Sequence, residues 1–163
     1  AQAFATETGR EPWAPVSISV AESPEAAVRA ADIICTATTS STPVFDGHDL
    51  RPGTHINAIG GYTPEMQEVD GTTVSMARVV VDSREAALAE AGDLIIPIRE
   101  GLISADHVHA ELGELVNGTR VGRTDPEQIT LFKSVGVAVQ DAITAGRALA
   151  RAEQLGLGQI IEL

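Results

Sequence analysis

The chain has 163 residues, enough for one domain with a core; 44% are hydrophobic but only 3% aromatic, so that core must be built from Ala, Val, Ile and Leu. Such a composition suits helices laid on a buried sheet. A formal charge of −12 would repel a phosphate backbone or an anionic bilayer, which excludes nucleic acid and membrane surfaces as partners.

The segment AQAFATETG at 1–9 places Ala1, Phe4 and Ala5 at helical spacing before Gly9, so the chain is expected to open inside a helix, as a segment of a longer protein would. After a proline-containing turn, VSISV at 16–20 alternates like a short strand. Ser23-Pro24-Glu25 combines an N-cap, a proline at the first helical position and an early acid, which predicts a helix through Ala30. The compact apolar run IICTAT at 33–38 suits a buried strand, within which Cys35 reads as a small core residue. It is the only cysteine, so no internal disulfide can form, and a reducing cytoplasm is the expected compartment. No apolar run reaches the roughly 20 residues that a membrane-spanning helix needs.

Residues 39–53 form a loop rich in Ser, Thr, Pro and Gly, and HINAIG at 55–60 is the next strand. A short helix is expected to end near 74–77. RVVVD at 78–82 is the clearest strand, a β-branched triplet between polar boundaries. Ser83 can cap a helix ending by Gly92, and the apolar run at 93–98 is expected to be an edge strand or strand terminus because of Pro97. ELGELVNG carries Leu112, Leu115 and Val116 at helical spacing and stops at Gly118. ITLFKS at 129–134 is a strand leading into a long helix with a face of Ala138, Ala142, Ala145, Leu149 and Ala152, closed by Gly156.

Strand and helix alternate, which implies parallel strands joined by crossovers, and such sheets bind ligands beyond the carboxyl ends of their strands. Gly60 and Gly61 stand at one of those ends. They can be read as a floor for a flat ligand or as a plain turn. Asp32, Asp82 and Asp93 read as strand-boundary residues, Lys133 as a solvent-facing side chain, and Ser134 as a possible N-cap. His107 and His109 lack a third ligand nearby, and His48 and His55 have no support as ligands or catalysts; no metal site is expected.

Three segments, ADIICTATTSSTPVFDG, PGTHINAIGGYTPEMQEVD and ITLFKSVGVAVQDA, in this order and spacing resemble the ornithine cyclodeaminase/mu-crystallin family. VVVDSREAALAEAGD and AELGELVNG are similar to its mu-crystallin and ketimine reductase branch, and the likeness runs over about 31–152. The resemblance implies an α/β fold. Residues 1–134 would be the carboxyl-terminal part of a Rossmann-like, doubly wound parallel domain. Residues 135–163 would form a long helix and tail returning to a second domain that builds a homodimer and much of the substrate site.

It further implies NAD or NADP as cofactor and an imino or amino acid as small-molecule substrate. Carried over by position, Thr38, Thr39, Ile59, Gly60, Gly61, Tyr62, Met66 and Ser134 would face the cofactor, with Glu90 and Val135 toward the substrate. Hydride transfer requires the donor and acceptor carbons at about 3 to 3.5 Å in a dry pocket, which bare backbone and small hydroxyls can line.

Two departures shape the expectation. Ornithine cyclodeaminases of the family carry an aspartate directly after the paired glycines, where this chain has Tyr62. A phenol of reference pKa near 10 cannot replace a carboxylate base at neutral pH. Reduction of a cyclic imine is therefore favoured over ornithine cyclodeamination, with alanine dehydrogenation as a neighbouring possibility and nucleotide or small-ligand binding without turnover as the rival of another class. Second, no G-x-G-x-x-G follows a first strand in these residues, so the loop that would grip the pyrophosphate is missing. The 163 residues alone are expected to bind cofactor poorly and to catalyse nothing.

Overall fold

A computed structural model describes residues 1–13, 17–159 and 161. The described residues form a parallel five-stranded sheet in the order β1-β2-β5-β3-β4, with β1 at Ile33–Thr36, β2 at His55–Ala58, β3 at Arg78–Val81, β4 at Val108–Glu111 and β5 at Thr130–Lys133. The last strand in the chain is inserted between β2 and β3. As a result, the carboxyl ends of β1, β2, β5 and β3 lie side by side.

Apart from α5, the helices form in the segments where caps or apolar spacing predict them. Helix α1 spans Gln2–Thr8, and α2 spans Pro24–Ala30, with the Ser23 hydroxyl accepting from the Ala26 N–H at 3.1 Å. Helix α3 covers Gly71–Met76 under an Asp70 cap, and α4 covers Arg84–Glu90 under the Ser83 cap. Helix α5 runs over Gly92–Arg99, α6 over Leu112–Val116 and α7 over Ala138–Leu155, where Gly156 adopts a left-handed φ of 64° as the C-cap.

Two expected elements are corrected, and one strand is unforeseen. The run at 93–98 is helical: Pro97 removes only the one bond its missing N–H would have made, while Leu94, Ile95 and Pro97 are all buried by the helix. The proposed strand at 16–20 is irregular over 17–20, and Val16 lies outside the described residues; no neighbour among the described residues pairs with it. Conversely, β4 carried no sequence expectation, because a four-residue strand containing a histidine gives little periodic signal. It forms by pairing with β3.

Alternation within the strands separates two faces. Ile56, Ala58, Val79, Val81, Val108 and Leu131 point to one side, where Val28 of α2, Val74 of α3, Ala87 of α4 and Leu94 of α5 complete the core. The other side is far less covered. There His55, Asn57, Thr130, Phe132, Arg78 and Val80 line an open cavity of about 530 Å³, bordered by Leu112 and Leu115 of α6. Ile33 is 65% exposed and Cys35 is exposed beside it, so the expected core position of the cysteine is wrong. Cys35 alternates onto the open face of the edge strand, whereas its neighbour Thr36 turns inward. Helix α7 buries no side chain among the described residues.

Candidate functional site at the strand ends

The site grows out of the alternation in β5. Leu131 and Lys133 are two residues apart and must share a face, so a core leucine commits the lysine to the interior as well. Lys133 is fully buried, contrary to the solvent-facing expectation. Its Nζ donates to the Gly61 carbonyl at 2.5 Å and lies 2.9 Å from Asp93 Oδ2, an ion pair rather than a well-aligned hydrogen bond.

Asp93 is also fully buried, in the first turn of α5, and is not the strand-boundary residue expected. Its Oδ1 accepts from the backbone N–H groups of Glu68 and Val69 at 2.6 and 3.0 Å. One carboxylate thus holds a cation on one oxygen and fixes a loop with the other.

That loop delivers Glu68, which sequence reasoning left without a role. Its carboxylate accepts from the Thr36 hydroxyl at 2.9 Å and from the N–H groups of Thr38, Gly60 and Gly61 at 2.5, 2.7 and 3.2 Å. A single buried side chain therefore ties the end of β1 to the end of β2. Burial alone would raise its pKa, but the bonds from Thr38, Gly60 and Thr36 outweigh that effect and hold it below the ordinary carboxylate range.

The linkage sign follows. A depressed folded-state pKa stabilises the protein above the ordinary glutamate value near 4.3, and that stabilisation disappears as pH falls through the lower folded value. In urea denaturation at pH 7 and pH 3, the wild-type chain should lose more stability between the two than Glu68→Gln does. Equal losses would show that Glu68 is not a source of acid lability.

The paired glycines owe their identity to this packing. Neither has a positive φ, so no turn conformation demands them. A Cβ on Gly60 would instead run into the Thr38 amide nitrogen and carbonyl oxygen, and one on Gly61 would sit 3.2 Å from Asp93 Oδ2 and 3.5 Å from Lys133 Nζ. Both of their N–H groups are already engaged by Glu68. The strand end is consequently no anion-binding nest; it offers peptide planes without free donors, flanked by Ile59 and Tyr62 at 51% and 54% exposure.

The neighbouring strand ends add a second knot. Asp82, just past β3, accepts from the Ser134 hydroxyl at 2.7 Å and from the N–H groups of Val135 and Gly136 at 3.0 and 2.8 Å. Ser134 N–H donates to the Ala58 carbonyl at 3.1 Å, so the corner after β5 sits against β2. Ser134 is no N-cap of α7, which begins four residues later.

Among the residues read from the sequence, Thr38, Gly60, Gly61, Ser134 and Val135 meet in or beside these two knots. Met66 lies under Gly61, with its Cβ 3.5 Å from where a Gly61 Cβ would be. Thr39 is exposed next to Thr38, and Glu90 is exposed in the last turn of α4, outside the strand-end hydrogen bonds described above. The residues missed, Glu68, Asp82, Asp93 and Lys133, are the ones that hold the others. One signal was available for Lys133, its two-residue spacing from Leu131 in an apolar strand. The long-range partners of Glu68 and Asp93 left none.

A parallel α/β sheet whose carboxyl strand ends are fastened by two adjacent polar knots defines a Rossmann-like α/β unit. Comparison with known proteins agrees. The family model for the ornithine cyclodeaminase/mu-crystallin family matches residues 1–154, and the chain belongs to that family. It is 49% identical over 144 residues to a Delta(1)-pyrroline-2-carboxylate reductase of Bacillus cereus, covering 88% of this chain and 44% of the relative. With the ketimine reductase mu-crystallin of Mus musculus it shares 40% over 128 residues, covering 78% of this chain and 38% of the relative. The solved Delta(1)-pyrroline-2-carboxylate reductase of Thermococcus litoralis, in complex with NADH and L-proline, superposes with a TM-score of 0.91 at 43% identity, over 99% of this chain and 49% of that one. The chain thus spans about half the length of the relatives it matches.

Proposed function

We propose that this chain supplies the nicotinamide-facing half of an NAD- or NADP-dependent reductase of cyclic imino acids, of the pyrroline-2-carboxylate or ketimine type. The observation that carries this reading is the buried network joining Thr38, Gly60, Gly61 and Lys133, with the Ser134 corner, held by Asp82, beside it at the adjacent carboxyl strand end. The 43% identity to a reductase solved with NADH and L-proline supports it.

A reduced nicotinamide held there would supply a hydride, with its electron pair, to the carbon of a cyclic imine already protonated on nitrogen, giving the neutral amine. The residues of this chain orient and dry that encounter. Peptide planes at 60–61 meet a flat ring without competing for it through free N–H donors, and Ile59, Tyr62, Thr38 and Thr39 wall the edge of the site. Glu90 and Val135 are assigned to the substrate side. Tyr62 fits reduction better than cyclodeamination, since it brings no carboxylate base.

In this reading residues 1–134 are the carboxyl-terminal part of the nucleotide-binding domain, and 135–163 lead to the substrate and dimer domain of the intact protein. The uncovered sheet face and the unburied α7 are the surfaces on which further chain would sit. A dimer is the expected assembly, as in the archaeal alanine dehydrogenase dimer with bound NAD, which superposes with a TM-score of 0.86 at 33% identity. Among the described residues no helix is long and apolar enough to cross a membrane; the cytoplasmic setting is proposed because the single Cys35 leaves no internal disulfide.

Fluorescence titration with NADH and NADPH is the test. The intact protein should bind at least one of them and oxidise it in the presence of Δ1-pyrroline-2-carboxylate or Δ1-piperideine-2-carboxylate. The isolated 163 residues should bind neither with micromolar affinity. Tight binding without turnover on either imine or on pyruvate with ammonia would replace the reductase with a binding protein.

A further inference from the structure

The charges gathered at the strand ends do not cancel. Asp93 and Lys133 neutralise each other, but Glu68 faces only uncharged donors, the Thr36 hydroxyl and three backbone N–H groups. Asp82 likewise receives one hydroxyl and two backbone N–H groups from the 134–136 corner. The nearest cation in sequence, Arg84, turns its guanidinium away to the Val108 carbonyl. Glu68, fully buried, therefore lies directly behind the 60–61 peptides proposed to meet the nicotinamide, its Oε2 only 2.7 Å from the Gly60 nitrogen, and half-buried Asp82 lies behind the Ser134 corner beside them. Charge held behind a peptide and away from water is weakly screened.

We propose that Glu68 and Asp82 determine the redox-state preference of the site, stabilising the cationic oxidised nicotinamide relative to the neutral reduced one. The inference rests on the nicotinamide site proposed above. It assigns these residues a role beyond scaffolding: the floor of the pocket lowers the free energy of the ring that has already given up its hydride. The bound dinucleotide is thereby inclined toward reducing the imine rather than oxidising the amine. A full negative charge beneath the peptides adds a Coulombic attraction for the cationic ring that the neutral ring does not feel.

The experiment measures dissociation constants of NAD+ and NADH, or of NADP+ and NADPH, for the intact protein and for Glu68→Gln, Glu68→Asp and Asp82→Asn, with folding of each checked by circular dichroism. Loss of one charge in Glu68→Gln or Asp82→Asn should raise the ratio of the oxidised to the reduced dissociation constant by roughly three- to thirtyfold. Glu68→Asp keeps the charge and should stay within about twofold of the wild-type ratio even if both affinities fall.

Asparagine at 82 keeps an acceptor oxygen for the Ser134 corner, so this variant still decides the question if Glu68→Gln is too unstable to use. If the folded charge-removing variants weaken both forms by the same factor, these residues are only structural and the inference is overturned, while the nicotinamide site stands. If the wild-type protein binds neither form, the site reading fails and this inference with it.

Discussion

Replacing Lys133 with methionine should lower stability by about 3–5 kcal/mol, read as the loss of unfolding free energy in urea followed by circular dichroism. Methionine matches the lysine stem in length and apolar character, so little packing is lost. What remains is Asp93, fully buried with its Oδ2 deprived of the ammonium 2.9 Å away. An uncompensated buried carboxylate is among the most destabilising single features a core can hold. The Gly61 carbonyl loses its donor at the same time.

The double variant Lys133→Met with Asp93→Asn separates charge from contact. Asparagine needs no counter-ion, and its carbonyl oxygen can still accept from the Glu68 and Val69 N–H groups. More than half of the lost stability should return. A loss below about 1 kcal/mol for the single variant would mean that the pair is not buried in solution, because exposed pairs are worth no more than that.

The second large effect belongs to Gly60. Alanine there should cost about 3 kcal/mol or more, since its Cβ would overlap the backbone of Thr38, which cannot retreat without breaking the bond from Thr38 N–H to Glu68. Alanine at Gly61 meets only the charged side chains of Asp93 and Lys133 and the Met66 Cβ, at 3.2–3.5 Å, and should cost about 1 kcal/mol. Thermal denaturation of the two variants gives the ordering directly. If Gly61→Ala proved the more damaging, the contact between the ends of β1 and β2 would not be what demands the glycine. In the intact protein Gly60→Ala should also abolish NADH binding, because the strand end on which the ring is proposed to lie is displaced.

These two effects show why glycine stands where the strand ends. The question looked like one of turn geometry or of ligand access. The immediate cause is internal: two strand ends approach until only hydrogen fits between them, and a buried ion pair lies under the next residue. Backbone then reaches the surface where side chains would otherwise intervene.

Much of this protein could be read from local pattern. Ser23 with Pro24, the valine triplet of β3 and the Ser83 cap each predict their element from a few neighbouring residues, because capping and β-propensity act over one turn or one strand. The alternation of elements implies parallel pairing, and the quoted segments around Thr38, Gly60 and Ser134 carry the family likeness. Elements with conflicting or weak local signals were not legible. Pro97 argued for a strand end at 93–98, and burial of Leu94, Ile95 and Pro97 decided for a helix.

The site divides in the same way. Its positions at the carboxyl ends of strands follow from topology and were foreseeable; the side chains that fasten them were not. Glu68 reaches Thr36 across 32 residues, Asp93 reaches Glu68 across 25, and Lys133 reaches Gly61 across 72. A charged residue in a chain of net charge −12 is most simply solvated, and only the completed sheet supplies the donors and the counter-ion that make its burial favourable. Local composition settles which segments become strands and helices because those forces act between neighbours. Which charges are buried is a property of distant residues meeting, and so it belongs to the tertiary structure.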